Sequence, residues 1–188
     1  MGVIYQPAND IDELLLPLIA AKSPGTTVQS IRDRYRLAAT GLISADEFWL
    51  GFGIDPGIER EFLNGYGVDS TVKDFLRACR THFDQILIFS NDIARWSTRR
   101  GDISNIADLV DGVLVSSAMK ARKPDLAAFA FLKAKADCQY EQISFIDDRS
   151  RNLDAAKGLG ISTYYLAGSL IGEAGGHIEL QSLRDILR

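Results

Sequence analysis

The chain has 188 residues, 46% of them hydrophobic and 24% charged, which suits one ordinary domain with room for a small insertion and a sizeable core. A formal net charge of −4 argues against nucleic acid or an anionic membrane as the main partner, and no apolar run approaches the ~20 residues a membrane-spanning helix needs. Two cysteines, Cys79 and Cys138, are too few for a disulfide framework; with no secretory pattern at the N-terminus, they point to reduced, buried thiols in a cytoplasmic protein.

The first half reads as helical. Ile11 to Ala21 repeats its apolar residues at helical spacing behind Asp10, a capping residue, until Ser23-Pro24-Gly25 breaks the pattern. Thr27 to Thr40 is a second amphipathic segment ending at Gly41. Ser44 and Glu47 then form a capping box for a third, whose buried side carries Phe48 and Trp49. Asp55-Pro56-Gly57 is a turn and Ile58 to Leu63 a short helix. Ser70 to Thr81 sets Val72, Phe75, Leu76 and Cys79 on one helical face.

The second half changes rhythm. Apolar runs at Gln85–Phe89, Gly112–Val115, Gln142–Ile146 and Ser162–Leu166 alternate with helical stretches near Asp92–Arg99, Asn105–Leu109, Pro124–Ala136 and Arg149–Leu159, the pattern of a parallel α/β sheet. Ile178 to Leu187 reads as a terminal helix, and the glycine-rich "AGSLIGEAGGHIEL" before and into it as a flexible connection, since it lacks the spacing of a phosphate loop. Open α/β sheets carry their chemistry in loops at the carboxyl ends of strands. There, "ILIFSND" delivers Ser90 and Asn91, "ARKPD" delivers Lys123, and "FIDD" delivers Asp147 and Asp148. Ser and Asn are ordinary turn residues, and a lysine before proline is usually a solvated charge. Two adjacent acids at a buried strand tip are different, because they repel unless a cation or several donors hold them. Mg²⁺ would serve, since it takes oxygen ligands from one or two carboxylates plus phosphate. Hydroxyl, ammonium and acid pair on successive strand ends are the kit that holds a phosphoryl group, with Ser90 and the Asn91 backbone donating to its oxygens, Lys123 neutralising charge and Asp148 holding the metal.

In that order and spacing, "LIFSND", "RKPD" and "FIDDRSRNLDAAKGLG" resemble motifs two, three and four of the haloacid dehalogenase-like (HAD) superfamily, from about Ser70 to Leu166. The resemblance implies a Rossmann-like parallel sheet flanked by helices, with a small all-helical cap inserted after the first strand. It makes Ser90 a phosphate binder, Lys123 a charge stabiliser, Asp148 the Mg²⁺ contact, Asp147 its support and Asn152 the support of that loop. "TGLISADEFW" is similar to a phrase of the phosphatase-like, epoxide hydrolase N-terminal-like members, so residues 10–69 are expected to be the cap, 70–188 the core and 1–9 a remnant of the first core strand. The implied substrate is a small phosphorylated molecule of unspecified identity.

The family's first motif, Asp-x-Asp-Gly, supplies the nucleophile and the general acid and base. Here "GVIY", which ordinarily follows it, is Gly2 to Tyr5, so neither aspartate lies in the chain, and Mg²⁺ binding is expected to be weak or absent. "NDIDE" offers Asp10 and Asp12, but after Pro7-Ala8-Asn9 and before a helical pattern it reads as a capped helix start. Three readings follow: a phosphatase-type hydrolase inactive or severely impaired in this chain, a noncatalytic module binding a phosphate ligand or a protein, and a haloacid dehalogenase, which has no use for the acid pair. His82 and His177 are isolated and expected on surfaces; Trp49, Trp96 and Tyr35 read as packing residues, with Trp49 or Tyr35 able to line the cap.

Overall fold

A computed structural model describes residues 2–167 and 175–187, so half of the glycine-rich stretch, residues 168–174, lies outside the described residues. Its first half is helical. A π-helical turn at Ile11–Leu15 leads into α1 (Leu16–Lys22), followed by α2 (Val28–Ala39), α3 (Ala45–Leu50), α4 (Glu59–Asn64) and α5 (Ser70–Cys79). Local chemistry starts these helices where the sequence indicates. The Thr27 hydroxyl accepts from the Ser30 N–H, and Ser44 and Glu47 make both bonds of the capping box. Asp10 does not cap. Its buried carboxylate accepts from the Tyr66 hydroxyl at 2.8 Å, because a tyrosine from the far end of the helical unit reaches it first.

The second half alternates strand and helix: β1 (Leu87–Ser90), α6 (Ala94–Ser104), β2 (Gly112–Val115), α7 (Ser116–Met119), α8 (Leu126–Ala136), β3 (Ser144–Asp147), α9 (Ser150–Lys157), β4 (Ser162–Leu166) and β5 (Ile178–Leu180). All pairings are parallel. β1 pairs with β2, aligning Ser90 with Val115, and β3 pairs with β4, aligning Asp147 with Tyr165. β1 and β3 are not hydrogen-bonded to each other, so the layer is divided into a two-stranded and a three-stranded sheet. Residues 3–5 make bends rather than a strand, and Gln6 forms an isolated antiparallel bridge to Gly67.

Period-two alternation sends neighbouring strand residues to opposite faces. Phe89 and Phe145 face Phe129 of α8, with ring centroids 5.4 and 5.9 Å from it, above Leu132, Leu153 and Ala156. Ile88 and Ile146 face Val72, Phe75, Leu76 and Cys79 of α5. A third core holds the helical unit together around Phe48, Trp49 and Phe62. Trp96 of α6 enters it at 5.3, 5.5 and 4.8 Å from their rings, so the helical unit and the sheet unit share one aromatic cluster.

Four expectations are corrected. Ile178–Leu187 is not a helix: Ile178 pairs with Tyr164 in β5 and a 3-10 turn spans Leu183–Leu187, a short apolar stretch whose period sequence cannot decide. The helix expected at Asn105–Leu109 is only a 3-10 turn, Ala107–Leu109, because Asn105 takes a left-handed conformation (φ 52°) that ends α6. His177 is buried, not on the surface, hydrogen-bonded to Thr163 at 2.8 Å and to Asp154 at 3.1 Å. The helix after Lys123 begins at Leu126, leaving Pro124 and Asp125 in a turn. Among the described residues, no helix is long and apolar enough to cross a membrane.

Candidate functional site

The carboxyl ends of β1 and β3 and the loop between α7 and α8 meet at one point. Asn91, just after β1, brackets that loop: its side-chain oxygen accepts from the Lys123 N–H and its amide donates to the Lys123 carbonyl, both at 2.8 Å. So fixed, Lys123 extends inward rather than into solvent. Its Nζ donates to the Phe89 carbonyl and to Asp147 Oδ2, each at 2.7 Å, and lies 4.9 and 5.1 Å from the Phe89 and Phe145 ring centroids. Ser90 lines the same cavity as Lys123 and Asp147.

The two acids have separate fates. Asp147 gives Oδ2 to Lys123 and Oδ1 to the Arg149 N–H at 2.9 Å and to Asn152 Nδ2 at 3.0 Å. Burial opposes its charge, but Lys123 and Asn152 together hold the carboxyl below the usual carboxylate range. Asp148 is also buried, yet its Oδ2 has no hydrogen-bond partner. Burial and the adjacent Asp147 charge push its carboxyl up. Gly2 rests directly on it: a Cβ at that position would lie 2.1 Å from Asp148 Oδ2, and the backbone there has φ +75°. The positive φ favours glycine there, and any Cβ would oblige the Asp148 carboxylate to shift.

Asp148 Oδ2 is thus left without a hydrogen-bond partner, while Asp147 is committed to Lys123. Among the described residues, no group of three or more His, Cys, Asp or Glu side chains is placed to hold a metal ion. The donor set does not fit Mg²⁺ by itself, since one buried carboxylate is a ligand and not a site. Asp10 and Asp12 add nothing, because Asp10 serves Tyr66 and Asp12 pairs with Arg32 and accepts from Asn9.

Around the tips the surface is basic. Arg122 precedes Lys123 and Arg149 follows Asp148; burial, and then the nearby guanidinium groups of Arg36, Arg151 and Arg149, weaken the hold of Arg122 on its proton against an opposing effect of Tyr35. From the helical unit, the Tyr35 hydroxyl donates to the Asn91 carbonyl at 3.3 Å. Two acids that the sequence did not single out tie the units together. Glu59 of α4, 1% exposed, receives Arg95 Nη2 at 2.6 Å, Trp96 Nε1 at 2.7 Å and Arg99. Asp92 pairs with Arg100, both buried, and the Arg100 guanidinium covers the Tyr66 ring at 4.6 Å. Only the spacing of Arg95 and Arg99 on one helical face beside Trp96 hinted at the first.

No family model and no curated protein matches the sequence. Solved structures do. A HAD family enzyme from Bacteroides thetaiotaomicron superposes with a TM-score of 0.75 at 19% identity, over 90% of this chain and 91% of its own. The chain has the HAD-like fold. Another structure of the same Bacteroides enzyme is a complex with magnesium and inorganic phosphate. A HAD phosphatase from Thermococcus onnurineus matches with a TM-score of 0.73 at 18% identity, over all of this chain and 94% of its own. An L-2-haloacid dehalogenase matches with a TM-score of 0.67 at 14% identity, over 98% of this chain and 93% of its own. At these identities the HAD-like fold is common ground, and the chemistry has to be argued from the strand tips.

Proposed function

We propose that the chain is a phosphatase-type HAD-like hydrolase by descent, that its strand tips bind a small phosphorylated molecule, and that residues 1–188 alone hydrolyse it poorly or not at all. In this reading the Ser90 hydroxyl and the Asn91 backbone donate to phosphate oxygens, Lys123 supplies positive charge, Asn152 steadies the acid pair, and residues 10–69 form a helical cap over the core at 70–188, with 1–9 as the remnant of a first core strand. The observation that carries it is the split in the acid pair. Asp147 is neutralised by Lys123 at 2.7 Å, whereas Asp148 Oδ2 stays buried without a hydrogen-bond partner beside it, an arrangement that disfavours folding and therefore suits an incoming cation or ligand. The basic rim of Arg122 and Arg149 favours a doubly charged phosphate over a single carboxylate, which weighs against the haloacid dehalogenase reading.

Impaired turnover follows from the commitments of the carboxylates. Asp147 is held by three hydrogen bonds, Asp148 lies under Gly2, Asp10 accepts from Tyr66 and Asp12 pairs with Arg32. None of these is free to attack phosphorus. A binding role without hydrolysis is the second reading that this observation favours. Calorimetry with inorganic phosphate, with and without Mg²⁺, beside an aryl phosphate assay, tests both. Phosphate binding without appreciable hydrolysis is expected; turnover abolished by Asp148→Asn but unaffected at Asp10 and Asp12 would contradict the proposed defect.

A further inference from the structure

Arginines approach the strand tips from three elements. Arg36 comes from the last turn of α2, Arg122 from the loop that carries Lys123, and Arg149 and Arg151 from the start of α9. Hydrogen bonds tie these elements together at one place. The Tyr35 hydroxyl, one residue before Arg36, donates to the Asn91 carbonyl at 3.3 Å; the Asn91 side chain brackets Lys123, next to Arg122; and Asp147 accepts from Lys123 and from the Arg149 N–H. The charges of Arg36, Arg151 and Arg149 are then close enough to act on Arg122, which is half-buried. A guanidinium keeps its proton near neutral pH, so repulsion within such a cluster is relieved only by an anion. Elsewhere arginines are matched, Arg77 with Asp74, Arg80 with Asp111 and Arg95 with Asp46, whereas among the described residues Arg36, Arg122, Arg149 and Arg151 make no ion pair with a carboxylate. The start of α9 shows the same mismatch: with Arg149 at its N-cap, Arg151 in its first turn and no acid there, it sets cations at the positive end of the helix dipole.

We propose that Arg36, Arg122, Arg149 and Arg151 form a second anion subsite beside the tips, and that the ligand is a small bisphosphate, one phosphate at Ser90 and the Asn91 backbone and the other against the arginines. The inference rests on the phosphate reading above and narrows its ligand class. Charge balance selects two phosphates over one. Lys123 is already committed to Asp147, so a single phosphate ester, with a charge of about −2, leaves about half of the guanidinium charge of the cluster unmatched. A second phosphate matches the rest, and guanidinium groups take phosphate through paired, charge-assisted hydrogen bonds. Arg36 makes the helical unit part of the subsite, because it is carried on α2 while Arg122, Arg149 and Arg151 belong to the sheet unit. Discrimination between a mono- and a bisphosphate therefore depends on both units, whereas contact with the first phosphate depends on the strand tips.

Calorimetry on the full chain tests this with inorganic phosphate and with the mono- and bisphosphates of propane-1,3-diol and hexane-1,6-diol, since the members of each pair differ only in the second phosphate. With at least one spacer the bisphosphate is expected to bind about tenfold tighter or more than its monophosphate, the gain that added charge-assisted contacts give. That preference should fall towards unity in Arg36→Gln and in Arg151→Gln, both exposed, and persist in Arg77→Gln, whose residue pairs with Asp74 on α5. Equal affinities within both pairs would overturn the proposal. So would a preference retained in Arg36→Gln and Arg151→Gln, or one lost equally in Arg77→Gln, which would mark a general attraction of polyanions. If inorganic phosphate binds and the second phosphate adds nothing, the subsite alone falls; if neither inorganic phosphate nor any ester binds, the phosphate reading falls and takes the subsite with it.

Discussion

Removing either partner of the Lys123–Asp147 pair should destabilise the fold far more than removing both. The pair is closed at 2.7 Å with side chains 8% and 5% exposed, so water cannot replace a lost partner. Deleting one member of such a buried pair costs about 3–5 kcal/mol, whereas replacing both with apolar or neutral groups of similar volume is often near neutral. Lys123→Met keeps the aliphatic contact with Phe89 and Phe145 and leaves Asp147 two of its hydrogen bonds, from Arg149 and Asn152, which places the loss near the low end, about 3 kcal/mol. For a chain of this size that is a drop in Tm of roughly 6–12 °C. Asp147→Asn should cost about as much, since it leaves a buried ammonium facing only a carbonyl and two rings, and the double variant should fall short of the sum by about 2 kcal/mol or more. The sign with pH is determined by the carboxyl. Because Asp147 is held below its unfolded value of about 3.9, its contribution is complete above that pH and lost as pH falls through the folded value. Urea denaturation of the four proteins at pH 7 and near pH 3 checks this. Additive losses, or a Lys123→Met penalty undiminished in acid, would refute the pairing argument.

Asp148→Asn should have the opposite sign. Its folded carboxyl is raised above the unfolded value, so folding takes up a proton, and wild-type stability falls as pH rises from about 3.9 through the folded value. The variant should therefore be the more stable protein above that window and no different below it, read as a Tm difference across pH. Glu59→Gln should cost about 2–3 kcal/mol in urea midpoint, because Arg95, Arg99 and Trp96 all converge on a carboxylate that is 1% exposed, and tryptophan fluorescence should report the loosened junction. Asn91→Ala removes both bonds of the Lys123 bracket; a loss of about 2 kcal/mol is expected, together with weaker phosphate binding by calorimetry.

How much of this could be read beforehand depends on whether the cause was local. The Ser44–Glu47 box is legible because both bonds join residues three apart, and β2 falls on its expected residues because Asp111 and Ser116 border its run; β4 does so too, although Ile161 and Ala167 flank it. β1 and β3 extend to Ser90 and Asp147, past the apolar residues that announced them, since backbone pairing with Val115 and Tyr165 continues after hydrophobicity stops. Ser90, Lys123, Asp147 and Asp148 could be grouped as strand-end residues. That Lys123 would spend its charge on Asp147, and not on solvent, could not, because the two are 24 positions apart and only the Asn91 bracket turns the side chain inward. Glu59 was illegible for the same reason, since Arg95 and Arg99 lie 36 and 40 positions away; Asp92 is an ordinary acid until Arg100, on the helix that follows it, closes on it.

The divided layer and the divided acid pair have one physical origin. In a continuous parallel sheet every interior strand edge is paired, and side chains at neighbouring tips satisfy one another. Here β1 and β3 keep a common floor of aromatic rings and a common roof of aliphatic residues, so apolar burial alone holds the two sheets in line without a ladder between them. Among the described residues Lys123 bridges the tips by taking the Phe89 carbonyl of one wall and the Asp147 carboxylate of the other, which secures both walls and leaves Asp148 Oδ2 beneath Gly2 without a hydrogen-bond partner.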